Sequence, residues 1–174
     1  LNEDLNFILR NFYGVHFKPD WISDFCLEKN TTKYLFKFIE KNQIPLFLHM
    51  GYIYSLETSN IDYVKLLADI LASFPKIRLV LEHCGGGIFL AETYKKYQNL
   101  FKTVCYSISS PRSIGLIDLL FSVVPHERIC FGSDYPFCDS LEPIEYLNNV
   151  KDFVSDKEIN FSKIGSTLLN WSKI

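Results

Sequence analysis

No excess of either charge runs through this chain: 18 Lys and Arg stand against 20 Asp and Glu, for a formal net charge of -2. That balance excludes the basic footprint that binding to nucleic acid or an anionic membrane requires. Long apolar runs are also missing. The longest, such as GLIDLLFSVV at 115–124, fall well short of the roughly 20 residues that a membrane-spanning helix needs. The five cysteines, Cys26, Cys84, Cys105, Cys130 and Cys138, are odd in number, form no Cys-x-x-Cys pair and lie in or beside apolar segments. They read as reduced core thiols of a cytoplasmic protein, not as a disulfide framework. No dinucleotide fingerprint, low-complexity stretch or linker interrupts the sequence, so residues 1–174 read as one domain. Methionine is nearly absent: Met50 is the single one, Leu1 is not an initiator and no signal peptide precedes it. The expectation is therefore that the chain is the carboxyl-terminal part of something longer.

What is present is a core. Apolar residues make up 48% of the chain and aromatics 16%, rich for a soluble domain. The apolar pattern alternates between two periods. Short runs rich in branched and aromatic residues predict strands at 12–17, 45–49, 77–83, 101–107 and 128–134. Three- and four-residue steps between them predict helices over 31–42, capped by Thr31 or Thr32, and over 60–75, closed by Pro75. The same logic extends to 86–97, 110–124, 141–155 and 161–174. Strand starts recur every 24 to 33 residues, a spacing that predicts an α/β fold with a parallel sheet built by crossover helices.

Three of these strands deliver a metal-ligand type of side chain at their carboxyl ends: IPLFLHMG ends on His49, IRLVLEHCGGG on His83 and RICFGSDYPF on Asp134. In a parallel α/β fold these ends share one face, so the three could converge on one pocket. Period two places Phe47 with His49, Leu79 and Leu81 with His83, and Cys130 and Gly132 with Asp134. It also turns Glu82 outward, toward the helices and a salt bridge. Each residue has a blander role beside this one. A histidine in an apolar strand is commonly a hydrogen-bonded core residue, Asp134 before Tyr-Pro can cap a turn, and Gly85–Gly87 can supply either a tight turn or an anion-binding nest. His126 falls at the opposite end of the strands, in a surface loop.

The segments GVHFKP, IPLFLHMG, FPKIRLVLEHCGGG, CYSIS and HERICFGSDYPF occur in the order and spacing of the amidohydrolase-related (amidohydrolase 2) TIM-barrel proteins, and the chain resembles that family from about residue 14 to 169. The resemblance implies a (β/α)8 TIM barrel of the metal-dependent hydrolase type, with strands four to eight present and the N-terminal strands one to three missing. It implies a divalent metal, Zn²⁺ first and Mn²⁺ as the alternative, with His49 and Asp134 as ligands. It also implies that His83 and Asp134 act as the catalytic acid and base. The family's strand-one H-x-H pair does not occur here. Its strand-four order of Gly, apolar, Lys, apolar, His, Pro becomes Gly14-Val15-His16-Phe17-Lys18-Pro19, with the two polar residues exchanged on one face.

The activity expected is hydrolysis of a small carboxylated or cyclic substrate through metal-activated water. His16, Lys18, Tyr52 and Arg112 are the substrate-binding candidates, with Tyr54 beside Tyr52 in the same loop. A nonoxidative decarboxylase on the same scaffold is the alternative. A noncatalytic partial barrel or interaction module is the reading of another class, because five strands leave sheet edges and apolar surface that invite self-association.

Overall fold

The computed structural model describes residues 2–19, 29–50, 62–110, 114–137 and 143–154. It opens with helix α1 (Asn2–Asn11), then alternates β1 (Val15–Phe17), α2 (Asn30–Lys41), β2 (Pro45–Leu48), α3 (Tyr63–Ser73), β3 (Arg78–Leu81), α4 (Lys95–Phe101), β4 (Cys105–Ser107), α5 (Ile114–Val123), β5 (Ile129–Cys130) and α6 (Pro143–Phe153). The five strands form one sheet in chain order, every neighbouring pair parallel. Adjacent parallel strands joined through helices are the repeating unit of a (β/α)8 barrel, and this sheet is a partial one.

The sheet's two faces carry separate cores. Leu46, Leu48, Leu79, Leu81, Tyr106 and Ile129 lie in a large buried cluster with Phe36, Ile39, Leu67, Ile70, Phe101 and Leu120 of the helices. Val80, Cys105 and Cys130 form a small cluster of their own, with Phe47 against it. Register explains the division: His16 pairs with Phe47, Phe47 with Val80, and Val80 with Cys105. Side chains in register across parallel strands share a face, so this row lines the inner side. Leu79 and Leu81 thus face the helices, and the inner set on β3 is Val80 and then Glu82.

Cys84, Cys105 and Cys130 are free and buried. Burial pushes their thiols up to about 12, 11 and 12, so they pack as small apolar groups. Cys26 and Cys138 lie outside the described residues.

Several element expectations are corrected. The strands are shorter than their apolar runs, because turns and helix ends use part of each. Phe101 closes α4, and Val104 N–H donates to Phe101 O at 2.8 Å before β4 begins. Helix α2 starts one residue early, and its N-cap is Lys29, with neither threonine capping it. Asp62 does cap α3, accepting from Lys65 N–H at 3.0 Å. Helix α1 is an additional element, anchored by buried Leu5. The helix expected at 86–97 is replaced by a left-handed turn, a run of short helical turns over His83–Thr93 and then α4. The expected helix at 161–174 lies outside the described residues.

The left-handed turn spans the end of β3. His83, Cys84, Gly85, Gly86 and Gly87 have φ of 54, 54, 61, 59 and 90°. Two non-glycine residues there cost roughly 1–2 kcal/mol each, while the three glycines adopt the conformation freely. The turn also presses Gly85 onto Tyr106, whose ring atoms would lie 3.0 Å from an added Cβ. Ile88 and Phe89 then re-enter the helix-side core.

Candidate active site

Period two along β3 places Glu82 on the inner face with Val80. The left-handed φ at His83 then breaks the alternation and swings its imidazole to the inner side as well. The expectation that Glu82 faces outward is therefore overturned. Glu82 does pair with a cation-type side chain, but within the site: His16 Nε2 lies 2.8 Å and His49 Nδ1 3.5 Å from the same oxygen, Oε2. One potential ligand atom each from His16, His49 and Glu82 lies within 4.8 Å of the others. The His16 side chain is 55% exposed, against 22% for His49 and 23% for Glu82, so the cluster opens to solvent on the β1 side.

His83 is buried at 4% exposure and its hydrogen bonds fix its tautomer. Nδ1 lies 3.0 Å from the carbonyl of Ser109, which only accepts, so Nδ1 carries a proton. Burial lowers the pKa of His83, with the nearby His49 adding to the effect, against opposing contributions from the Ser109 hydrogen bond, Asp134 and Glu82. The ring is thus neutral and Nε2 holds a lone pair, which accepts from His49 Nδ1–H at 3.2 Å. Ser109 Oγ, accepting from His83 N–H at 3.2 Å, ties down the backbone of the same residue.

Glu82 resists protonation. Burial alone would raise its pKa, but the hydrogen bond from His49, the charge of and hydrogen bond from His16, and the charge of His83 together bring it below its ordinary value.

Asp134 follows β5 in a left-handed conformation, φ 59°, and its carbonyl accepts from Phe137 N–H at 2.7 Å. It therefore serves a turn through its backbone, while its carboxylate acts electrostatically on His83. Gly132 lets this segment approach β4, since a Cβ there would stand 2.6 Å from Ser107 Oγ. Lys18 is half-buried just beyond β1. Tyr52, Tyr54 and Arg112 lie outside the described residues. The structure thus brings His16, His49 and His83 together, with Asp134 acting on the last of them. It adds Glu82, whose place in the sequence predicts the outer face.

Acid should destabilise the metal-free fold in two steps. His83 is held below its ordinary 6.5, so the unfolded chain binds a proton that the folded chain refuses; the stability this gives is full above about 6.5 and declines as pH falls. Glu82 is held below its ordinary 4.5, so its contribution is present above that pH and lost as pH falls through the folded value. Urea midpoints measured against pH with chelator present are expected to fall in both windows. His83→Asn should flatten the first step and leave most of the second, because His49 and His16 act on Glu82 more strongly than His83 does.

Parallel strands of a partial TIM-barrel sheet thus bring imidazoles and a carboxylate within ligand distance of one another. The family model described as Amidohydrolase matches residues 9–160, and the chain belongs to that family. No curated protein is recognisably similar in sequence. Among solved structures, the 2,6-dihydroxybenzoate decarboxylase from Rhizobium is 13% identical with a TM-score of 0.68, matching 97% of this chain and 66% of its own. A dihydroxybenzoic acid decarboxylase from Polaromonas sp., with bound manganese and the inhibitor 2-nitroresorcinol, is 11% identical with a TM-score of 0.69 over 97% and 64%. The 4-oxalomesaconate hydratase from Rhodopseudomonas palustris is 15% identical with a TM-score of 0.67 over 98% and 57%. The chain thus spans less than two thirds of the length of each of these three structures.

Proposed function

We propose that this chain carries the catalytic face of a metal-dependent hydrolase acting on a small carboxylated or cyclic substrate. The observation that carries the reading is the convergence of His49, His83 and Glu82 at the carboxyl ends of β2 and β3, in a chain of the amidohydrolase family. The donor chemistry fits a divalent ion: neutral imidazole and carboxylate suit Zn²⁺ or Mn²⁺. Zn²⁺ is the first choice, and the manganese in the Polaromonas structure supports Mn²⁺ as the alternative. His49 and Asp134 would hold the ion, which when bound supplies Lewis acidity and brings the pKa of water toward neutrality.

The protein's own groups do the rest. His83 Nε2, unprotonated and aimed by the Ser109 carbonyl, accepts a proton and returns it to the leaving group, with Asp134 stabilising the imidazolium. Lys18 and Arg112 are assigned to a substrate carboxylate, as cationic groups suited to it. Tyr52 is assigned to the pocket wall, and His16 to the substrate side of the cluster. Free buried thiols fit a cytoplasmic location. Among the described residues, no helix is long and apolar enough to cross a membrane. The partner proposed is a small molecule, with self-association through the edge strands β1 and β5.

A nonoxidative decarboxylase is the second reading, favoured by the two dihydroxybenzoate decarboxylases of like fold. Incubating the protein with dicarboxylate lactones and with hydroxybenzoates, in Zn²⁺ or Mn²⁺ and after chelation, separates the readings. Ring opening that chelation abolishes and metal restores is the expected result. Carbon dioxide release without ring opening would select the decarboxylase, and no turnover by metal-loaded protein would select the noncatalytic module.

A further inference from the structure

We propose that His16 and Glu82 join His49 as a three-ligand set for one divalent metal ion, so that three adjacent strands of this chain, through the middle of β1 and the ends of β2 and β3, hold the ion by themselves. The inference rests on the metal-dependent reading above and differs from it in the ligands, with His16 and Glu82 in place of Asp134 beside His49. Convergence carries it. His16 Nε2 and His49 Nδ1 approach one carboxylate oxygen at 2.8 and 3.5 Å, and ligand atoms from all three residues fall within 4.8 Å. Ligands at about 2.0–2.1 Å in a tetrahedral site stand roughly 3.3–3.4 Å apart, so an ion needs only shifts of less than about 1 Å in these side chains.

The chemistry agrees with the geometry. Without an ion, two imidazoles spend an N–H each on Oε2, and His49 must share its Nδ1–H between Glu82 and His83. A cation placed at that point satisfies all three donors at once. Each imidazole then carries its single proton on its other nitrogen, so no net proton is gained or lost. His83 Nε2, no longer accepting from His49, becomes a base beside the ion. The open β1 side, where His16 is more than half exposed, gives the ion a path from solvent. His16 stands in register with Phe47, which puts its imidazole on the inner face beside the other two ligands.

The test is equilibrium dialysis of the 174-residue chain against Zn²⁺, compared with His16→Asn, Glu82→Gln and Asp134→Asn, with circular dichroism of each. Expected is about one ion per wild-type chain, and at least about tenfold weaker binding by both His16→Asn and Glu82→Gln with unchanged dichroism. Wild-type affinity in those two variants, with loss in Asp134→Asn, would overturn this set and leave the metal-dependent reading standing. No binding by the wild-type chain would overturn both. Should Glu82→Gln fail to fold, the exposed His16 decides alone.

Discussion

Replacing Arg128 with leucine is expected to destabilise the fold by about 3–5 kcal/mol, the cost of removing one partner from a buried ion pair. Arg128 and Glu92 are only 14% and 7% exposed, and the guanidinium meets both carboxylate oxygens, at 3.0 and 2.5 Å. Its Nη1 also donates to the carbonyls of Phe101 and Val104, at 2.8 and 2.9 Å, so the last turn of α4 and the start of β4 hang on one side chain. Tyr106 donates its hydroxyl to Glu92 Oε1 at 2.6 Å, and burial, reinforced by that carboxylate, raises the phenol well above its ordinary value. Leucine would leave the Glu92 carboxylate without its counter-charge, with only the Tyr106 hydroxyl still donating to it, and would take a donor from the carbonyls of Phe101 and Val104. Urea unfolding of Arg128→Leu, Glu92→Leu and the double variant should show the double variant less destabilised than the sum of the singles, because each single leaves a charge unpaired. A loss below about 1 kcal/mol for Arg128→Leu would place this pair with surface ion pairs.

His83→Asn is expected to lower kcat by about 10²–10⁴ in the metal-dependent reaction, the usual range for a general acid or base. Asparagine is chosen because it tolerates the left-handed backbone that His83 adopts, at φ 54°. The variant should keep its metal and its fold while losing the rise of kcat/KM with pH that a neutral imidazole confers. Equal pH profiles for the two proteins would assign His83 to packing alone.

The parallel sheet was legible because strands buried on both faces read as near-continuous apolar runs, and PLFL and RLVL are such runs. His49, His83 and Asp134 could be placed at strand ends for the same reason. The face of Glu82 was not legible backward from His83, because the left-handed φ of His83 breaks the period. Counting forward from the apolar strand gives the right face, and the run of three glycines was the signal that the strand had already ended. The same glycines defeated the helix expected over 86–97, since apolar spacing says nothing of the sign of φ. The Arg128 and Glu92 pair is separated by 36 residues and carries no local pattern. Its existence depends on β5 lying beside β4, which is a tertiary fact.

Zinc binding by His49→Asn, measured by calorimetry beside the wild-type protein, tests the central claim most directly, because every metal-dependent reading of this site runs through His49. The expected result is saturable binding in the wild type that is lost in the variant, with dichroism unchanged. Equal binding by the two proteins would contradict the account, since it would put the ion elsewhere in the chain.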